Sequence, residues 1–393
     1  MQVRCDKHGN VFILNNLRIT ILQGAFLPVP PLRGGAVEKM WFELGKQFSQ
    51  QGHRVCHVSR RFPGLPPEEL IEGVRHLRVR GYDTPANGLH LKLLDLLYSL
   101  RALRVLPTAD ILITNSFWLP ILAARRQQQL GRILVDVQRM PKGQMRFYRR
   151  AACLRANSSA VAHAIAREVP HLAGLVRTIP NPLPFLPPPL AAAEREPVIL
   201  YCGRLHPEKG IALLFEAFRL ACERGLSGWT LRLVGPADTA AGGGGLGWLE
   251  GLLAAPQKAG LPVEWLGPIY GEQELLQHYR RATLFAYPSL AERGETFGLA
   301  PLEAMACGAV PIVSDLACFR DFITPGVNGL VLNHRSADPA AALAQEILAL
   351  ARDPERRAAM AEAALAVRES HHPATIARQF LEGFEALIQQ RPH

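Results

Sequence analysis

From residue 18 onward, short apolar runs alternate with stretches in which apolar residues recur every three or four positions. Residues 18–22 (RITIL) read as a buried first strand. Residues 35–52 read as the helix after it, with Val37, Met40, Trp41, Leu44 and Phe48 on one face. Residues 54–58, entered through the Gly52-His53 turn, 110–114 (DILIT) and 133–137 (ILVDV) predict further strands. This strand–helix rhythm points to a parallel sheet covered by helices on both faces.

The rhythm breaks at residues 180–197 (PNPLPFLPPPLAAAEREP), whose six clustered prolines can hold neither a helix nor a central strand. A second run of the same kind follows. Strands are predicted at 198–202, 230–234, 263–266, 284–287, 310–314 and 329–332. A helix at 211–222 presents Ile211, Leu214, Phe215, Phe218 and Cys222 on one face. The tail over 339–389 is helical, with breaks near Asp353-Pro354 and His372-Pro373. The expected plan is α/β: two Rossmann-like, doubly wound domains facing across a cleft. They span 1–183 and 198–370, joined by a Pro-rich linker at 184–197. A last helix at 371–393 is expected to pack back on the first domain. Ligands of such sheets sit at the carboxyl ends of the strands.

Length and charge sharpen this plan. A chain of 393 residues exceeds one ordinary core. Its 48% apolar and 20% charged content fits a folded globular protein. Residues 1–195 hold 27 Lys/Arg against 12 Asp/Glu, whereas residues 196–393 hold 17 against 22. A basic half and an acidic half imply different partners, and the sign changes at the proline run. The seven cysteines are scattered and never spaced Cys-x-x-Cys, which argues for buried free thiols in a reducing, cytoplasmic setting. No signal peptide is expected at the amino terminus, and no apolar stretch is long enough to cross a membrane.

Two stretches carry candidate chemistry. In residues 295–308 (ETFGLAPLEAMACG), Pro301 fits a first helical turn and Gly308 a stop, so a short helix is predicted from about 298 to 307. Its amino end would expose unpaired N–H groups to a diphosphate or a sugar hydroxyl. Glu295 precedes the helix and Glu303 lies within it; either carboxylate can accept from two hydroxyls. An exposed helix with ordinary surface glutamates would fit the same residues. Residues 203–210 (GRLHPEKG) lie between a strand and a helix, where phosphate loops form. Arg204 supplies a fork of donors and Lys209 a point charge. A solvated βα turn would look the same.

Taken together, residues 203–211, Glu295-x7-Glu303, VPIVSD at 310–315 and GVNGLV at 326–331 resemble glycosyltransferase family 4. The first half resembles it more loosely, through Gly34-Gly35, GHRV at 52–55, Asn157–Ser159 and IPN at 179–181. The resemblance implies the GT-B fold and retaining transfer from a nucleotide diphosphate sugar, a UDP-sugar favoured. It makes Arg204 and Lys209 the holders of the donor diphosphate and Glu303 the grip on the ribose hydroxyls. Glu295 falls close to the transferred sugar, and Phe297, Gly298 and Leu299 contact sugar and phosphate. Gly34-Gly35 becomes the mobile loop over the phosphates and acceptor. Many relatives carry a histidine at the end of a first-domain strand; here Gln138 stands there, able to hydrogen-bond a sugar but not to act as a base. No Asp-x-Asp occurs, so no cofactor and no metal are expected, with the cationic residues and helix terminus in the metal's place.

The leucine-rich residues 89–106, with Lys92, Arg101 and Arg104, and the cluster Arg146, Phe147, Tyr148, Arg149, Arg150 suit a peripheral, anionic membrane surface. They suit an ordinary core-facing helix with a basic edge as well. Family members with lipid acceptors use this domain for membrane contact. The expected acceptor is a saccharide, a lipid-linked or another glycosyl acceptor. No nucleic-acid module is present despite the basic half. A sugar-nucleotide epimerase or a catalytically silent nucleotide-sugar-binding protein are the alternative readings.

Overall fold

The computed structural model describes residues 2–5, 11–14, 16–85, 87–186, 188 and 195–389. The chain divides into two compact units. One comprises Met1–Pro184 with Pro373–His393, the other Phe185–His372.

The first unit opens with an antiparallel pair, β1 (Gln2–Cys5) and β2 (Val11–Leu14). Next come β3 (Arg18–Leu22), α1 (Ala36–Gln50), β4 (Arg54–Arg60), β5 (Glu68–Ile71), β6 (Val74–Val79) and α2 (Gly88–Ala102). They are followed by β7 (Ile111–Thr114), α3 (Leu119–Ala123), α4 (Gln127–Leu130), β8 (Arg132–Val137), β9 (Cys153–Ala156), α5 (Ser159–Glu168) and β10 (Val176–Thr178). Eight of these strands form a sheet in the order β10-β9-β8-β7-β3-β4-β6-β5, parallel except for β5. The central strands are buried on both faces, which is why they read as unbroken apolar runs. Met40, Trp41, Leu44 and Phe48 of α1 pack on Ile19, Ile21 and Ile113 on one face. Tyr98, Leu119, Val161 and Ile165 pack on Leu112 and Ile133 on the other.

Helix α2 shows both of the features expected as alternatives, with Tyr98 and Ala102 in the core and leucines outside. Asp95 and Ser99 point inward, while Leu89, Leu93, Leu97 and Leu100 are exposed, Leu89 by 79%. Asp95 accepts from the backbone N–H groups of Phe117 and Trp118 and from the Ser116 hydroxyl. The helix therefore spends its polar residues on anchoring loop 115–118 and turns leucines to solvent.

The second unit contains β11 (Glu196–Cys202), α6 (Ile211–Glu223), β12 (Thr230–Val234), α7 (Leu246–Lys258), β13 (Val263–Trp265), α8 (Glu272–Arg281) and β14 (Ala282–Tyr287). It continues with α9 (Leu299–Ala306), β15 (Val310–Ser314), β16 (Leu330–Leu332), α10 (Pro339–Arg352), α11 (Pro354–Ala364) and α12 (Val367–Ser370). Its sheet is wholly parallel, in the order β13-β12-β11-β14-β15-β16. Strand β11 begins at Glu196, two residues before its predicted start and inside the predicted linker; residues 187 and 189–194 of that linker lie outside the described residues. The last helix, α13 (Pro373–Gln389), belongs to the first unit, where Phe380 packs on Trp41 with ring centres 5.1 Å apart.

Candidate active site

In the second unit, three adjacent loops meet at the carboxyl ends of β11 and β14. The first leaves β11 at Gly203, whose N–H bonds the Val234 carbonyl at 2.9 Å. It closes at Gly210, in the left-handed region at φ 71°, where a Cβ would run into the Pro288 carbonyl. Only glycine allows this approach. The Leu290 N–H donates to the Glu208 carbonyl at 2.8 Å, so loop 203–210 and the turn after β14 are locked together.

This lock places the basic pair. Lys209 is buried, and its Nζ donates to Glu295 Oε2 at 2.7 Å, with both side chains at most one-tenth exposed. The same Nζ lies 5.6 Å from the centre of the Tyr287 ring. Arg204 is half-exposed; Nη1 donates to the Gly242 carbonyl at 2.6 Å and Nη2 to Glu208 Oε1 at 3.2 Å. The glycine tract 242–245 thus flanks the loop through Arg204, and the Gly244 N–H donates to the Leu205 carbonyl.

Beneath this pair is a floor of tyrosines that sequence reasoning missed. Tyr201 and Tyr287 stack 5.5 Å apart and 7° from parallel. The Tyr201 hydroxyl donates to the Arg204 carbonyl at 2.9 Å, fixing the loop from below. Burial, then the neighbouring Glu295 charge, pushes the Tyr287 hydroxyl far above its ordinary range, so it stays a neutral hydrogen-bond donor. Both tyrosines stand at or next to the last residue of a strand, before a loop rich in glycine or proline. That position was the available signal.

Helix α9 begins at Gly298, at φ 87°, where a Cβ would meet the Phe319 ring. Phe297 before it is buried against Phe322 and His371. The amino end of α9, three residues after Glu295 in the chain, carries no side-chain cap. One turn on, Glu303 accepts from the buried Tyr279 hydroxyl at 2.7 Å. The structure brings Arg204, Lys209, Glu295, Phe297, Gly298, Leu299 and Glu303 onto one edge of one sheet. Two fixed cations and a helix terminus suit a diphosphate, and carboxylates suit hydroxyls.

Gly34, Gly35 and Gln138 lie in the first unit. Gly35, at φ 95°, caps α1, and a Cβ there would strike Glu38. Burial raises the Glu38 carboxyl, with the Arg139 charge pulling the other way. Gln138, immediately after β8, gives its Nε2 to Asp136 at 2.9 Å and takes bonds from Asn157 and Asn181 on Oε1, both at 3.2 Å. His53 accepts from the Leu17 N–H at 3.3 Å, a turn contact. Among the described residues, no three His, Cys, Asp or Glu side chains gather as a metal site.

Two parallel Rossmann-like sheets and this strand-edge site define a GT-B protein. The fold matches sucrose-phosphate synthase from Thermosynechococcus elongatus at a TM-score of 0.75, with 23% identity over 94% of this chain and 99% of that one. It matches Anabaena HepE, solved with UDP and glucose, at 0.68, with 19% identity over 94% and 100%. Residues 184–367 match the model of the group 1 glycosyl transferases. A D-inositol 3-phosphate glycosyltransferase of Nocardia farcinica is 31% identical over 226 residues, 56% of this chain and 47% of the relative. The chain spans less than half the length of the curated relatives of that kind. The match to the group 1 glycosyl transferases thus covers the second unit, and the likeness to these GT-B structures, at 19–23% identity, is one of fold.

Proposed function

We infer that the protein moves a sugar from a nucleotide diphosphate donor, a UDP-sugar first, to a hydroxyl of a saccharide or lipid-linked acceptor, with retention and without a metal. The observation that carries this reading is the buried Lys209–Glu295 pair beside Arg204 and the open amino end of α9. Breaking the anomeric C–O bond drives negative charge onto the leaving diphosphate. Cations already in place stabilise that charge more in the transition state than in the ground state. Glu303 accepts from the ribose hydroxyls, Phe297, Gly298 and Leu299 line sugar and phosphate, and Glu295 orients the sugar while holding Lys209. The acceptor oxygen bonds to the anomeric carbon on the face the diphosphate leaves, and its proton passes to a leaving phosphate oxygen. Gly34 and Gly35, in the first unit, are taken as the mobile glycine loop that the resemblance implies. Gln138 enters as a strand-end residue with its amide already oriented, not as a base. HepE, solved with UDP and glucose and with UDP-glucose, supports uridine as the first choice.

The test is a melting-temperature scan against UDP-, GDP-, ADP- and dTDP-sugars without added metal. A ligand at 100 times its dissociation constant adds about 2.7 kcal/mol of apparent stability. One responsive base, with its bare diphosphate also active, is the expected result. Silence from all four would remove the donor site.

The acceptor side of this reading includes an anionic membrane surface. The exposed leucines of α2 adjoin exposed cations: Lys92 lies 5.0 Å from the Phe117 ring centre, Phe117 meets the half-exposed Phe147, and Arg146 covers Phe147. No helix among the described residues is long and apolar enough to cross a membrane, so the proposed attachment is peripheral, at the cytoplasmic face. Co-sedimentation should recover the protein with phosphatidylglycerol vesicles and not with phosphatidylcholine ones. Equal recovery would end the idea.

A further inference from the structure

One buried ion pair in the first unit has no part in the donor site. Asp136 and Arg155, on the neighbouring strands β8 and β9, meet at 2.7 Å with both side chains fully buried. Every remaining polar bond of the pair is directional. Asp136 accepts from the Trp41 indole at 2.7 Å and from the Gln138 amide at 2.9 Å. Arg155 Nη2 donates to Asn181 at 2.8 Å, and the guanidinium lies over the Phe380 ring at 5.3 Å. These partners come from four separate places. Trp41 is on α1, which the Gly34-Gly35 loop caps. Gln138 ends β8. Asn181 lies just before the chain leaves this unit, and Phe380 on the helix by which it returns.

A buried ion pair is a poor way to gain stability. Its desolvation often cancels its attraction, and apolar residues of similar size do as well or better. What such a pair supplies is orientation. Asp136 and Asn181 Oδ1 accept from the Gln138 amide nitrogen while Oε1 accepts from Asn157 and Asn181, so the amide is held at both ends. We propose that Asp136 and Arg155 are positioning residues for transfer, fixing together the Gln138 side chain, the capped end of α1 and the Asn181 segment. This rests on the transferase reading, while the positioning itself stands on the bonds above.

The test uses the full chain and the double substitution Asp136→Leu with Arg155→Met, which removes both charges and leaves neither unpaired. Hydrogen exchange reads positioning directly. Residues 33–41, 134–140 and 179–183 should lose protection, while β3 and β7 keep theirs. Turnover of the responsive nucleotide sugar reads its use. The maximal rate should fall at least about tenfold from misplaced groups, with a clearly smaller change in the donor KM, to which only Gly34-Gly35 of this unit is proposed to contribute. Arg155→Lys, which keeps the charge but loses the fork, should fall between. Unchanged exchange in the three segments, or a double variant with the full maximal rate, would overturn the proposal. A parent protein that turns over no nucleotide sugar would instead defeat the transferase reading and, with it, the claim that the positioning serves transfer.

Discussion

Glu295 and Glu303 lie eight positions apart in one motif, yet their surroundings assign them different work. Glu303 takes its bond from the neutral Tyr279, whereas Glu295 holds a buried ammonium. Removing the Glu303 carboxylate leaves the buried Tyr279 hydroxyl with the Cys202 thiol alone and takes away the carboxylate proposed to accept from the ribose. Glu303→Ala should therefore weaken UDP binding about tenfold or more by calorimetry. Glu295→Ala leaves Lys209 buried without its partner, a loss of about 3–5 kcal/mol in the free protein. A bound diphosphate restores the missing negative charge, so nucleotide affinity should hold while turnover drops about 10²–10³-fold. If both variants bind and turn over donor like the parent, the assignment of this motif is wrong. A second residue-scale effect concerns His57 and His76, buried, paired across β4 and β6 and stacked 5.3 Å apart. Burial holds both below their ordinary range, His76 at about 4, and the Arg78 charge adds to this while Glu69 opposes it at His76. The unfolded chain takes up these protons near pH 6.5 and the folded chain does not. The stability is thus complete above about 6.5 and is lost as pH falls toward 4. The urea midpoint of the first unit should drop between pH 7 and pH 5, and His76→Phe should flatten that dependence; an equal slope in the variant would contradict it.

At the scale of elements, what the sequence made legible was whatever a single periodicity encodes. The central strands and the core face of α1 were readable because burial on both faces, or on one stripe, leaves a regular apolar trace. Strand β6 (VRHLRV) was hidden by Arg75, His76 and Arg78, although His76 and Arg78 are buried; β9 was hidden by Arg155 in the same way. A charge that finds its partner only in three dimensions reads as a surface residue in one. Helix α2 was ambiguous for the converse reason, since Tyr98 and Ala102 face the core while Leu89, Leu93, Leu97 and Leu100 are exposed. In the site, loop 203–210 was legible from its place between a strand and a helix, and α9 from Pro301 and Gly308. The tyrosine floor was not, because strand-end position marks each tyrosine singly while their stacking joins residues 86 positions apart. The same geometry makes Gly298 the sharpest element-scale test. Gly298→Ala must place a methyl group against the Phe319 ring at a positive φ that β-carbon residues seldom adopt. The cap of α9 should shift and its N–H groups lose their aim, so UDP affinity is expected to fall about tenfold or more, while Gly326→Ala, also at positive φ but in open space, should leave it unchanged. Equal affinities in the two variants would show that the α9 terminus does not hold the phosphates.

For the molecule as a whole, the decisive feature is that the chain leaves its first unit at Pro184 and returns to it at Pro373. The first unit is consequently complete only when its last helix is in place. Helix α13 contributes Ile376, Phe380 and Phe384 to the same core as Trp41 and Phe48 of α1, with Phe384 5.7 Å from Phe48. Phe380 is also the ring over which Arg155 lies, so one side chain serves both the apolar core and the polar network. Truncating a fully buried phenylalanine costs about 3–5 kcal/mol. Phe380→Ala should therefore lower the denaturation midpoint of the first unit and speed hydrogen exchange in residues 36–50. Phe380→Leu, which restores most of the volume but not the ring, should recover the midpoint more fully than the exchange around residue 41. Of the residues proposed for the donor, only Gly34 and Gly35 lie in this unit, and they precede α1, so UDP affinity should change far less than the exchange of residues 36–50 in both variants. Protection in residues 36–50 that survives Phe380→Ala would mean α1 is held by the sheet alone. The returning helix would then be an appendage of the first unit rather than part of its core.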